Sequence, residues 1–208
     1  MSDPLNQGLI SQIAIFASGT GSNAAKIIDH FREVKDINVS LIVCNKPGAG
    51  VLDIAEKAHI PSLIIERSSF YNSDQLLFDL ARHSIDFIAL AGFLWLIPPY
   101  LIDNFSNRIL NIHPALLPKY GGKGMYGMHV HRAVKSAGEK KSGITVHLVN
   151  ENFDEGAIIF QATCDLVPED DADNIRSKVL ELEHRYFAPI IENFIRQGQK
   201  RLDLVQAN

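Results

Sequence analysis

Two hydrophobic rhythms alternate along this chain. Short apolar runs at Ile10 to Ala17, Val39 to Cys44, Ser62 to Ile65, Phe87 to Ala91 and Arg108 to His113 read as strands. Amphipathic stretches between them read as helices: one from the turn Ser18–Asn23 to about Val34, one over Gly50 to His59, one over about Ser73 to His83. The fourth strand is almost wholly apolar, as expected when helices cover both faces of a parallel sheet. The rhythm then changes. Thr145 to Val149 and Ala157 to Val167 are strands joined by a loop, with no crossover helix between them, and they predict antiparallel additions at one sheet edge. A last helix is predicted from about Asp173 to Arg196, where Ile175, Val179, Leu182, Tyr186, Ile190 and Phe194 recur at spacings of three and four; Pro189 is a candidate kink. The fold expected is α/β: a doubly wound, mostly parallel, Rossmann-like sheet with antiparallel strands at one edge. One domain over residues 1–208 is expected, with residues 1–7 polar and frayed.

Composition narrows the function classes. The chain has 208 residues, 46% hydrophobic and 21% charged, with a net charge of −4, which suits a globular protein with a substantial core. No run of Lys and Arg suggests a nucleic-acid partner, and no apolar run approaches membrane-spanning length. Cys44 and Cys164 sit in no CxxC or metal-ligand spacing, so reduced thiols in a cytoplasmic protein are expected. His129-Val130-His131 is the one cluster that suggests a metal. Its two histidines would not share a helix face and no Cys or carboxylate set completes them, so no metal is expected.

Three segments carry candidate chemistry. On the fifth strand Asn111 and His113 must point to one face and Ile112 to the other. An amide and an imidazole side by side at a strand's carboxyl end can polarise a carbonyl and move a proton near neutral pH. They can equally satisfy local backbone groups. The turn after the first strand, Gly19-Thr20-Gly21-Ser22-Asn23-Ala24, formally matches a dinucleotide fingerprint. An NAD reader wants an acidic residue after the second strand, where this chain has Cys44-Asn45-Lys46, so NAD is not expected. The helix start at Gly21, Ser22 and Asn23 still suits a phosphate; it could also be a tight turn without a ligand. Third, Asp154-Glu155-Gly156 lies between the late strands, and an Asp there reads first as a turn residue. Beside His113, its carboxylate would orient the imidazole and raise its pKa from the ordinary value of about 6.5.

These segments together resemble a known family. Ser18–Asn23, Leu90-Ala91-Gly92-Phe93, Asn111-Ile112-His113-Pro114 with Leu116-Leu117-Pro118, Gly143-Ile144-Thr145-Val146-His147 and Asp154-Glu155-Gly156 occur in the order and spacing of the phosphoribosylglycinamide formyltransferases of purine synthesis. The resemblance runs from about residue 9 to 198. It implies formyl transfer from 10-formyltetrahydrofolate, a co-substrate, to the amine of glycinamide ribonucleotide, with small molecules as the only partners. Its implied catalytic residues are His113, Asn111 and Asp154. It implies ribotide contacts at Gly21, Ser22, Asn23, Leu180, Glu181, Leu182 and Glu183. Folate contacts are implied at Leu94, Trp95, Leu96, Ile97, Asn111, Asn150, Glu151, Asn152, Phe153 and Asp154, with His129 in support. Three departures stand out: Trp95 where many members carry a basic residue, Ser73 where many carry an Arg (with Arg67 nearby), and the long glycine-rich segment Gly121–Gly127, readable as a mobile lid or as a surface insertion. Two related activities fit less well. A formyltetrahydrofolate hydrolase is expected to carry an N-terminal regulatory domain, and a methionyl-tRNA formyltransferase a C-terminal RNA-binding domain and a basic face. A non-enzymatic phosphosugar- or folate-binding module is the fourth reading. Sequence leaves the oligomeric state open.

Overall fold

The apolar runs assemble into one seven-stranded sheet, seen in a computed structural model that describes residues 10–206. The expectation for residues 1–7 lies outside the described residues. In chain order the elements are β1 (Ser11–Ala17), α1 (Ser22–Phe31), β2 (Ile37–Cys44), α2 (Gly50–Lys57), β3 (Ser62–Ile64), α3 (Arg67–Asn72), α4 (Gln75–Arg82), β4 (Phe87–Leu90), α5 (Pro99–Asn104), β5 (Ile109–His113), α6 (Met128–Ser136), β6 (Lys141–Leu148), β7 (Ile158–Asp165) and α7 (Ala172–Gln206). The strand order is β3-β2-β1-β4-β5-β6-β7. Strands β1 to β5 pair in parallel, and β6 and β7 add antiparallel at one edge. The doubly wound expectation and its antiparallel edge are both observed.

Alternation along the strands builds two cores. Ile13, Ile15, Ile42, Ala89, Leu110 and Ile112 face one layer, with α1, α2, α6 and α7. Ala14, Phe16, Val43, Ile88, Leu90 and Ile109 face the other, with α3, α4 and α5. The strand order reverses between β1 and β4, and such a switch point leaves a crevice at the strands' carboxyl ends. Here the two turns that leave those strands are tied together. Ser18 N donates to Gly92 O at 3.1 Å and Leu94 N to Ser18 Oγ at 3.0 Å.

Several boundaries differ from the sequence expectation. The helix expected over Ser73 to His83 is observed as α4, and a short helix that was not expected, α3, precedes it, parted from it at the polar run Asn72-Ser73-Asp74, which competes for backbone groups. Ser73 is extended, and its hydroxyl donates back to Ser69 O at 3.0 Å. Helix α5 starts from Pro98-Pro99, with Pro pre-organised in the first turn. In α7 Ile175 and Val179 are buried as expected, but further on the buried stripe runs through Phe187, Ala188, Ile191 and Ile195. Leu182, Tyr186, Ile190 and Phe194 flank it, partly buried. Pro189 lies on the exposed side within α7, which continues beyond it. No helix among the described residues is long and apolar enough to cross a membrane.

Candidate active site

The turn after β1 is shaped by glycine. Gly21 sits at the N-terminal boundary of α1 with φ 80°, a left-handed conformation that an L side chain adopts at a cost. It also lies against α2: a Cβ built there would stand 2.8 Å from Val51 Cα. The close approach points the first N–H groups of α1, which have no partner within the helix, toward a cavity of about 1000 Å³. Across that cavity stands α7. Asn23 Nδ2 donates to Glu183 Oε2 at 2.8 Å and ties the turn to the long helix. Burial pushes the Glu183 carboxyl up, against the pull of Asn23 and Arg176.

A ring of polar side chains forms the cavity floor. Asn111 and His113 share a face of β5, and Ile112 faces the opposite core. The neighbouring antiparallel strand sets His147 directly opposite Asn111. The β6–β7 loop brings Asp154, at φ 59°, against all three. The contacts are close. His113 Nδ1 lies 3.4 Å from Asp154 Oδ2, and His147 Nε2 lies 3.5 Å from Oδ1. Asn111 Nδ2 donates to Asp154 Oδ1 at 3.3 Å and to His147 Nε2 at 3.0 Å. His147 Nδ1–H donates to Leu148 O at 2.8 Å, which leaves Nε2 as the acceptor in the neutral ring. His113 Nε2–H donates to Tyr120 O at 2.7 Å, and Gly122 N donates to Asp154 Oδ2 at 3.0 Å.

Charge in this ring departs from the sequence expectation at one point. The pKa of His113 was expected to rise beside Asp154. It is lowered instead: the imidazole is buried, and desolvation outweighs the combined pull of Asp154 and Tyr120 O, with His147 adding to the depression. The Asp154 contact itself is present. Burial pushes the Asp154 carboxyl up, but the His147 and His113 imidazoles and the Gly122 N–H together hold it below its ordinary value.

The turn that carries the Leu-Leu-Pro motif is held from below by Thr145. Its buried hydroxyl donates to Ala115 O at 2.7 Å and accepts from Leu117 N at 3.0 Å and Gln161 Nε2 at 2.9 Å. The Leu117–Pro118 peptide is cis.

The far arm of the cavity is apolar. Leu94, Trp95, Leu96, Ile97, Val149 and Phe153 line it. Trp95 is braced by Phe70 and Phe93, with ring centroids at 5.4 and 6.1 Å. The Arg67 guanidinium lies over the Tyr71 and Trp95 rings, 5.2 and 5.6 Å from their centroids. Arg67 lines the cavity and Ser73 does not, so the cation at this arm comes from the start of α3. The segment Gly122–Gly127 closes one side of the cavity.

Most residues singled out in the sequence converge here. Gly21, Ser22, Asn23, Leu180 and Glu183 line one end; Leu94 to Ile97, Asn150, Asn152, Phe153 and Asp154 line the other; Asn111 and His113 lie between them. Four do not join them. Glu181 faces solvent, Leu182 packs on the core, and Glu151 is exposed in its loop. His129 is exposed too and packs edge-on against Tyr126, with centroids 5.5 Å apart; His131 is the histidine of α6 that lines the cavity. Sequence reasoning missed His147, although its place across from Asn111 in an antiparallel pair is the kind of signal that could have found it. It also missed Arg176 and His131.

Comparison with known proteins identifies the family. A family profile described as formyl transferase matches residues 11–191. The chain is 39% identical over 186 residues to the chloroplastic phosphoribosylglycinamide formyltransferase of Arabidopsis thaliana, covering 86% of this chain and 64% of that protein, just under two thirds of its length. It is 36% identical to the phosphoribosylglycinamide formyltransferase of Bacillus subtilis, covering 89% of this chain and 95% of that one. Among solved structures, glycinamide ribonucleotide transformylase 1 from Symbiobacterium toebii superposes with a TM-score of 0.81 at 31% identity, covering 91% of this chain and 90% of that one.

Proposed function

This chain belongs to the formyl transferase family, among the phosphoribosylglycinamide formyltransferases, and on that premise we propose that it moves a formyl group from 10-formyltetrahydrofolate to the amine of N1-(5-phospho-D-ribosyl)glycinamide. The products are the N2-formyl ribotide and tetrahydrofolate, in the de novo route to IMP. The observation that carries the reading is one cavity with a phosphate-suited turn at one end, an apolar arm at the other, and Asn111, His113 and Asp154 between them.

Each part has a physical task. The N–H groups of Ser22 and Asn23, at the positive end of α1, receive the ribotide phosphate. Glu183 is an acceptor for ribotide hydroxyls. The arm formed by Leu94 to Ile97 and the loop Asn150 to Asp154 takes the flat pterin, with backbone groups reading its edge. Arg67, held against two aromatic faces, offers its N–H edge to the carboxylates of the donor's tail.

The ribotide amine attacks the formyl carbon, and the carbonyl π pair moves to oxygen. The oxyanion pair then re-forms the carbonyl as the C–N10 bond breaks; the bond's electron pair goes to N10, which takes a proton, and the attacking nitrogen gives up one of its own protons to the His113 imidazole that this leaves neutral. No enzyme nucleophile is needed. The developing oxyanion takes an N–H from Asn111. The 3.3 Å bond from Asn111 to Asp154 is the longer of that amide's two, so it is the one exchanged. His113 supplies the proton, with Asp154 favouring the imidazolium as it forms. Its Nε2–H is held by Tyr120 O, so a shift of the Gly121–Gly127 segment around bound donor releases it.

The deciding assay is spectroscopic consumption of 10-formyltetrahydrofolate with and without the ribotide. Consumption that needs the ribotide, and that falls about 10²- to 10⁴-fold in His113→Ala, supports the reading. Equal consumption without the ribotide would make the protein a hydrolase.

A further inference from the structure

The turn that ends in Tyr120 is held from a second side. Helix α6 closes with a Schellman motif. Gly138 is left-handed at φ 64°, its N–H donates to Lys135 O at 3.0 Å, and Glu139 N–H donates to Val134 O at 3.4 Å. That motif fixes where Glu139 leaves the helix. Its carboxylate Oε1 accepts from Lys119 Nζ at 2.8 Å and from the Tyr120 hydroxyl at 2.8 Å. One carboxylate therefore grips two successive residues of the turn. The Lys119 and Tyr120 bonds hold the Glu139 carboxyl below its ordinary value, so it is ionised at neutral pH.

Tyr120 links this grip to the polar ring. Its carbonyl accepts Nε2–H of His113 at 2.7 Å, while its hydroxyl reaches Glu139. Its φ is 58°, a left-handed conformation that suits glycine and costs an L residue. Glycine would meet the backbone's need without strain; tyrosine adds the hydroxyl. Packing alone does not fix the ring. One side rests on the core, and another borders a second cavity of about 300 Å³, walled by Leu117, Pro118, Val134 and Glu139. The hydrogen bond to Glu139 removes the freedom that this space leaves.

We propose that Glu139 is a positioning residue for the proton transfer: by gripping the Tyr120 hydroxyl it holds the Tyr120 carbonyl on His113, and so fixes the imidazole's orientation toward Asp154. This rests on His113 acting as the acid in the reading above. The side chain stays anchored when the Tyr120–Gly121 peptide turns, so Glu139 also fixes the end from which the glycine-rich segment moves. Without the grip the carbonyl drifts from Nε2 and the imidazolium loses an acceptor, so burial depresses the His113 pKa further. The titratable groups that face His113 are Asp154 and His147, from the late strands and their loop, and His131 from α6. All three are kept in the variants below.

Glu139→Ala and Tyr120→Phe remove the two ends of one hydrogen bond. An NMR titration of the His113 imidazole, without substrate, reads a lowered pKa in each and no further lowering in the double variant. The descending limb of kcat/KM against pH moves to lower pH with it. At neutral pH kcat falls about three- to tenfold, the fold-change of one hydrogen bond, and the KM of both substrates is kept. Glu139→Gln keeps an acceptor for the hydroxyl and recovers most of the loss. Lys119→Ala breaks only the exposed ion pair and leaves the His113 titration in place. An unmoved titration in Glu139→Ala or Tyr120→Phe, additive shifts in the double variant, or an equal shift in Lys119→Ala overturns the proposal. A lowered pKa in a protein that transfers no formyl group would sink the function proposed above and leave the Glu139 grip on Tyr120 and His113 standing.

Discussion

Replacing Gly21 by Ala adds one methyl group at the point where the first turn presses on α2. At φ 80° the Cβ meets its own backbone, a cost of about 1–2 kcal/mol for an L residue. It would also stand 2.8 Å from Val51 Cα and 2.9 Å from both Val51 Cβ and Ile54 Cδ1. Two of those three atoms are fixed by α2 itself, so the helix has to move, and such overpacking costs about 1–3 kcal/mol. The unfolded chain loses freedom on Gly-to-Ala replacement, which offsets about 0.4–1 kcal/mol. The net loss is about 2–4 kcal/mol, which lowers Tm by about 5–15 °C in a chain of this size. Gly19, two residues earlier in the same turn, is the control. A Cβ there meets nothing within 4 Å, so Gly19→Ala leaves Tm within about 2 °C of wild type. Calorimetry on the two variants reads the difference directly. The ribotide KM rises in Gly21→Ala with the donor KM unchanged, because the displaced groups are the α1 N–H groups. A Gly21→Ala protein that melts with wild type, or a Gly19→Ala protein that loses as much, would refute the reasoning.

Two further predictions follow from the ring of polar groups and the turn beneath it. Asp154 opposes the burial that depresses the pKa of His113, so Asp154→Asn lowers that pKa further. If protonated His113 delivers the proton, activity falls as pH rises through its pKa. The descending limb of the pH profile then moves to lower pH in the variant, and a limb that stays in place would remove His113 as the acid. The linkage to stability has the opposite dependence. A histidine whose folded pKa is depressed contributes stability above its ordinary value of about 6.5, and that stability is lost as pH falls below it. Thr145→Val keeps the shape but strips three hydrogen bonds from a fully buried hydroxyl, leaving Ala115 O and Leu117 N unpaired. It lowers unfolding free energy by about 2–4 kcal/mol. Urea unfolding checks it, and an unchanged midpoint would show that the turn is held by other contacts.

Asn111 and His113 were legible because a strand has a period of two: once β5 is recognised, both must face one side. The phosphate turn was legible for a similar reason, since glycine at a helix start has few other uses. Histidine choice on α6 was not. That helix begins in a stretch without a clear apolar period, and residues 129 and 131 lie about 200° apart around a helix axis. Without the helix and its rotation, nothing distinguishes the exposed His129 from the buried His131. Asp154 could be tied to His113 only through family resemblance, because 41 residues of chain and the fold of a loop separate them. The helix expected over Ser73 to His83 is present as α4, whereas α3 just before it was not legible, because six residues are too few to show a helical apolar period.

The sequence by itself determined the strand order's rhythm, the faces of β5 and the family, because those follow from periodicity and from short motifs whose geometry is local. Only the tertiary structure decided the sign of the His113 pKa shift, the cation that faces the apolar arm of the cavity, and the closing of the polar ring by His147. Each of these depends on how much water is excluded and on which distant side chains share a wall. Desolvation and Coulomb interactions act through space, and the chain order of residues does not encode distance.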